Sequence, residues 1–385
     1  MDNHIKVIGD RVLAHTLSRR SVLSGMMLAG IGVLASCGGN SQQMASNIAP
    51  DGTLEDKLNI YTWGDYDDPD VLTEFTERYN IVVQVDSFGS NEELIAKLGA
   101  TRGTSGYDIV CPTDLELPQM IEHSLIQKLD KSLIPNLKSI SPVFKGQPHD
   151  PNDEYSIIKA WGTTGYVYDT REIPEELTTW EDFIRVAQHE ASGTTALLED
   201  PWEVAAIGLA AKGYDLNTSD EQELAEAHEL VVEEIAPHVR AYASNAANPL
   251  IQGGFKLLHA FNGDARQGLM EIDDPEHWKF VFPTPTANLW TDTWCLATGA
   301  PHPDAAHQFI NFIIAPEQAV AEADYIGYST GSEIFDDPAV EEQFEYSELL
   351  FPDNEIVDRL TAARRLGGEQ ARVDMYSAAQ VRSGA

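Results

Sequence analysis

An α/β fold follows from three features of this 385-residue chain. Short β-type apolar runs alternate with helical ones, helix-start signals stand between them, and the length exceeds what one core usually holds. In order, "LNIYTW" reads as a strand and "DVLTEFTERY" as an amphipathic helix, opened by Asp68 as cap and Pro69 in the first turn. "IVVQVDSF" reads as a second strand, and "NEELIAKLGA" as a helix in which Ser90 and Glu93 have capping-box spacing. "YDIVCP" and "LPQMIEHSLI" repeat the pair. A second alternating block runs from "TTGYVYDT" and "TTALLED" through the helices "PWEVAAIGLAAKG" and "SDEQELAEAHELVVEEIA". It continues through "KLLHAFNGDARQGL" to "WKFVFPTP", then "LWTDTWCLATG", with helices expected from there to the end. Such alternation implies mainly parallel sheets.

Charge narrows the partners. Lys and Arg total 25 against 62 Asp and Glu, a net charge of −37. That surface repels nucleic acid and anionic membrane and attracts cations. The first 37 residues read as a processing segment. Arg19 and Arg20 precede the run "SVLSGMMLAGIGVLA", too short and Gly-rich for a membrane span. It ends in "LASC", which resembles a bacterial lipoprotein box with Cys37 as the acylated residue. The twin arginines resemble a Tat signal, but Val22 stands where Phe is commoner and no Lys follows, so a Sec route stays open. Residues 38–53 then form a polar, flexible linker.

Catalytic apparatus is sparse. "GYSTG" fits the G-x-S-x-G pattern with Ser329 as nucleophile, but a helical run precedes it and the last histidine, His307, comes before it. No H-E-x-x-H, P-loop or G-x-G-x-x-G occurs, so neither a metal nor a cofactor is implied. Cys111 and Cys295 lie in strand-like runs and are expected as buried free thiols rather than a disulfide.

Aromatic and acidic residues instead recur at predicted strand ends, where α/β folds bind ligands. Trp63 and Tyr66 lie in "YTWGDYDD", Asp200 and Glu203 in "LLEDPWEV", Phe261 in "HAFNGD", Trp290 and Asp292 in "LWTDTW", and Tyr328 in "YIGYSTG". Two of the acids have a competing structural role, since Asp68 and Asp200 are also good helix caps, whereas Asp292 lies in a strand-like run where no helix needs it. A linear polyamine suits this set. Its ammonium groups need carboxylates, and its methylenes need aromatic walls, which also attract cations.

At these residues the chain resembles the spermidine/putrescine-binding proteins of bacterial ABC importers. The phrases "YTWGDY", "SNEELIAKL", "YDIVCP", "LIQKLDKS", "HDPNDEYSI", "WGTTG", "NAANP", "FNG" and "INFII" carry the resemblance, from about Leu58 to Tyr328. It implies a two-lobed type II periplasmic binding protein fold with crossing hinge segments, without catalysis of its own. Lobe 1 would comprise 54–160 and 291–337, and lobe 2 161–290 and 338–385. The aromatic box falls on Trp63, Tyr66, Trp290 and Tyr328, with Phe261 where Trp is common. The amine partners fall on Asp200, Glu203 and Asp292, and Thr113 stands where a Ser often contacts a terminal amine. Leu115 replaces an aromatic residue, and the family's C-terminal polar contact has no counterpart that can be placed. The resemblance further implies a monomer outside the cytoplasmic membrane, periplasmic or lipid-anchored, working with membrane permease subunits. A binder of another cationic or zwitterionic solute, or a polyamine sensor, fits the same residues.

Overall fold

In the computed structural model of the protein, residues 45–385 are described. The expectations about Arg19, Arg20 and Cys37 lie outside these residues.

The first elements among the described residues form a βαβα run. Strand β1 (Lys57–Trp63) pairs in parallel with β2 (Val82–Phe88) and β3 (Ile109–Val110). The helix Pro69–Tyr79 between β1 and β2 starts where Asp68 accepts the Asp70 N–H, and it buries Val71 and Phe75. The next helix, Asn91–Thr101, is capped by Ser90, which accepts from the Glu93 N–H. Its capping box is only half made, because the Glu93 carboxylate accepts instead from the Gly89 N–H and the Tyr61 hydroxyl. The short β4 (Ile126–Gln127) follows.

Two long strands organise the rest. β5 (Ser156–Asp169) is buried along nearly its whole length, and β10 (Asn288–Ala297) runs antiparallel to it. The first half of β5 and the second half of β10 complete the sheet of β1–β4, since β10 pairs with β3 and β4. The second half of β5 belongs to another sheet, with β6 (Thr195–Leu198), β7 (Val239–Ala243), β8 (Leu257–Phe261) and β9 (Trp278–Val281). Pairing is parallel inside the βα repeats and antiparallel where β5 and β10 run beside each other or beside β3, β4, β8 and β9, because those strands carry the chain back across the molecule. One core gathers around Phe75, Trp294 and Phe309, another around Tyr166, Trp180 and Phe183.

Two stretches depart from expectation. The acidic helix is α-helical only over Glu221–Glu229. It then widens into a π-helical turn at Leu230–Ile235, which buries Leu230, Val231, Val232 and Ile235 together, more than one narrow helical stripe holds. Pro237, lacking an N–H, lies in the 3-10 turn that ends it. The C-terminal helices are also interrupted by β11 (Thr361–Ala362), which pairs with Asn288 and Leu289 of β10. Cys111 and Cys295 are buried free thiols, as expected.

Candidate ligand-binding site

The acids of "YTWGDYDD" separate into distinct roles. After β1, Asp65 takes a left-handed conformation (φ 53°) and stays exposed, while Asp68 caps the following helix. Asp67 turns inward and meets the Lys159 ammonium of β5 at 2.7 Å. Lys159 also lies 3.4 Å from Glu322, and all three side chains are buried. Burial works against the Lys159 charge, but Asp67 and Glu322 outweigh it and hold the ammonium pKa above its ordinary value. The same ammonium stands over the rings of Tyr66 (4.7 Å) and Trp294 (4.2 Å).

The five aromatic residues singled out in the sequence meet at the crossing of β5 and β10. Tyr66, Trp290 and Tyr328 pack with Cys111, Ala160 and Ile326, and Trp63 and Phe261 pack against that cluster. Trp290 lies edge-on to Tyr328 (4.8 Å between centroids) and to Phe261 (5.8 Å). Two glycines make room: a Cβ on Gly162, opposite Trp290 in the ladder, would strike that indole, and one on Gly263 would strike the Tyr328 ring. Tyr328 is fixed by its hydroxyl, which donates to Asp264 Oδ1 at 2.8 Å and accepts from the Asp264 N–H at 3.2 Å.

Asp292 faces this cluster. β10 shifts register between Asp292 and Thr293, and Asp292 forms an isolated bridge with Thr113. The Thr113 hydroxyl donates to Asp292 Oδ1 at 2.7 Å, and the Asn91 side chain holds Thr113 from behind. Burial pushes the Asp292 carboxyl up to about 6, against the opposing pull of Thr113, Tyr66, Lys159 and Trp63. The Tyr66 hydroxyl and Trp63 indole N–H are close enough to act on Asp292, yet neither completes a hydrogen bond, nor does the Trp290 N–H. Buried polar groups are seldom left so.

Asp200 and Glu203 form a second acidic station. Asp200 Oδ1 accepts from the Trp202 and Glu203 N–H groups, capping the helix Pro201–Lys212. Glu203 Oε1 accepts from Asn288 at 2.7 Å, while its Oε2 is buried without a partner. Burial, then the neighbouring Asp200, raises the Glu203 carboxyl to about 8. Two close acids cannot both ionise cheaply without a cation between them.

Sequence reasoning missed Lys159, Glu322, Asp264 and Asn288. None sits in a local pattern; each matters through a partner distant in sequence. Ser329 follows the helix Pro316–Ile326, and its backbone bridges Trp161. That is not the strand–turn–helix geometry a nucleophile elbow needs. His307 is held between the Asp130 N–H and the Pro303 carbonyl.

Comparison with known proteins adds an independent line. The family of bacterial extracellular solute-binding proteins matches residues 70–344. The spermidine/putrescine-binding periplasmic protein of Salmonella typhimurium is 32% identical over 280 residues, 71% of this chain and 77% of that one. Its Escherichia coli counterpart is 33% identical over 278 residues, again 71% of this chain and 77% of the relative. Among solved structures, a putative spermidine/putrescine ABC transporter protein from Listeria monocytogenes superposes with TM-score 0.74 at 29% identity, covering 85% of this chain and 99% of that one. The TpPotD lipoprotein of Treponema pallidum superposes with TM-score 0.73 at 28% identity, with the same coverage. These neighbours share the two-lobed type II periplasmic binding protein fold.

Proposed function

The chain belongs to the bacterial extracellular solute-binding protein family, and from that premise we propose that it captures a polyamine for an ABC importer. The observation that carries this is Asp292. It is a buried carboxylate beside Tyr66 and Trp63 of the aromatic cluster, and the protein cation acting on it, Lys159, is committed to Asp67 and Glu322. A primary ammonium beside Asp292 and Thr113 would supply the missing charge, with the Trp63, Tyr66 and Trp290 polar groups around it. A second ammonium would be held by Asp200 and Glu203, and the methylenes between would lie along Trp290, Phe261 and Tyr328.

In this reading residues 54–160 with 291–337, and 161–290 with 338–385, are the two lobes. They would close over the ligand by bending where β5 and β10 cross. The signal segment through Cys37, acylation there, and delivery to membrane permease subunits by a monomer complete the proposal. Calorimetry of the purified protein with putrescine, spermidine, basic amino acids and Fe³⁺ tests it. Binding of a polyamine alone is the expected result, and binding of only an amino acid or iron overturns it.

A further inference from the structure

The acids of the site form an arc rather than isolated stations. Burial, with Asp292 and Glu116 among the other charges, raises the Asp114 carboxyl to about 7. Asp200 is raised by burial and then, among charges, by Glu92 and Glu116, and Glu203 in turn by Asp200. The run from Asp292 to Glu203 is drawn by the fold: Thr113, bridged to Asp292, leads into the turn Asp114–Glu116, and Arg365, paired to Glu116, follows β11, which lies beside Asn288, the donor to Glu203 next to Asp200. Glu116 lies three residues beyond Thr113 and is 2% exposed.

This middle carboxylate already has a cation. Arg365 Nη2 meets Glu116 Oε1 at 2.5 Å, and Gln119 donates to the other oxygen. Arg365 does not come from a loose tail. β11 anchors its segment to Asn288 and Leu289, just before Trp290. Asn217 pins the segment further, donating to the Ala362 carbonyl at 3.0 Å and accepting from the Arg364 N–H at 2.6 Å. The other basic group paired on the arc among the described residues is His149, 3.8 Å from Asp114, and burial lowers its pKa so that it is neutral near pH 7.

We infer that Arg365 is a specificity-determining residue: its guanidinium holds the centre of the arc, leaving two outer stations, so the site selects a two-ammonium ligand over one with a third, internal ammonium. This rests on the polyamine reading above and sharpens it. A diamine places one charge at Asp292 and Thr113 and the other at Asp200 and Glu203. A triamine brings its middle charge toward a fixed cation, and like charges forced together select against the wrong partner.

Calorimetry of wild type, Arg365→Gln and Arg365→Lys against putrescine and spermidine tests the inference. Wild type should bind putrescine at least about tenfold more tightly than spermidine, a difference of about 1.4 kcal/mol. Arg365→Gln should strengthen spermidine binding at least about fivefold and leave putrescine within about twofold, while Arg365→Lys keeps the preference because it keeps the charge. A wild type that prefers spermidine overturns the inference, whether or not the variants fold. So does an unchanged ratio in Arg365→Gln. A wild type that binds neither amine overturns the polyamine reading itself.

Discussion

The Asp67–Lys159–Glu322 cluster and the Asp292–Thr113 pair flank the same ring, Tyr66, and treat charge in opposite ways. In the first, two buried carboxylates share an ammonium that the chain supplies, and that ammonium also stands over the ring face. In the second, a carboxylate buried as deeply receives a hydroxyl and no ammonium within ion-pair distance. Both are acids among aromatic rings, and composition does not tell them apart. What separates them is whether the fold brings its own counter-charge. Where it does, the acid holds loops and helices in place; where it does not, the acid is suited to a charge arriving from outside.

The largest expected effect is on the self-contained cluster. Lys159→Met strands Asp67 and Glu322 without a cation, and breaking a buried pair in this way costs about 3–5 kcal/mol of stability. Denaturant unfolding measures it, and adding Asp67→Asn and Glu322→Gln should recover much of the loss. An undiminished midpoint in Lys159→Met would erase the distinction between the two clusters.

Next comes the open pair. Asp292→Asn keeps size and hydrogen bonding but removes the charge, which typically costs about 2–5 kcal/mol of binding. Polyamine affinity should therefore drop at least about tenfold while the ligand-free melting temperature holds or rises. Asp68→Asn is the control. Asn caps a helix about as well as Asp, so affinity should stay within about twofold. Normal binding by Asp292→Asn, with loss in Asp68→Asn, would move the site to the helix entrance.

The smallest effect is the pH response. Asp292 is raised to about 6 by burial, with Thr113, Tyr66, Lys159 and Trp63 opposing, and Glu203 to about 8 by burial and Asp200, with Asn288 and Thr164 opposing. In the unfolded chain these groups ionise near their ordinary values of about 4. A raised folded pKa means a proton held more tightly in the native state. The stability these groups contribute to the free protein is thus fully present below about pH 4 and is lost as pH rises through about 6 and then 8. An ammonium favours the ionised carboxylates, so affinity should climb over the same interval. Calorimetry in buffers of different ionisation heats should detect proton release on binding near pH 6.5; equal apparent enthalpies in all buffers would contradict it.

Much of this was legible in the sequence for one reason: rings and caps announce themselves locally. Asp68 and Ser90 stand one residue before a helix, and Trp63, Tyr66 and Phe261 stand at strand ends, so alternation alone put them near a common edge. The counter-charges could not be read that way. Lys159 lies inside an apolar strand and looks like an error in the pattern until Asp67 and Glu322 fold over it. Arg365 lies beyond a two-residue strand too short to leave a periodic signal, and its partner Glu116 is distant in sequence. The same limit applies to Asp200, where the cap predicted from spacing is present but its other neighbours, Glu203 held by Asn288 and the sequence-distant Glu92 and Glu116, are set by the fold.

The crossing of β10 also sets the order in which the chain can mature. Ile109 and Val110 are flanked on one side by β1, but their other neighbours, Cys295 and Leu296, are synthesised long after them. Until those residues arrive, β3 presents an open edge and the core around Phe75 lacks Trp294 and Phe309. Contacts so remote along the chain are slow to form, and an unpaired edge invites pairing with another molecule. The sheet of β1–β4 therefore cannot be finished before β10 is made, and its assembly waits for the strand that also carries Trp290 and Asp292.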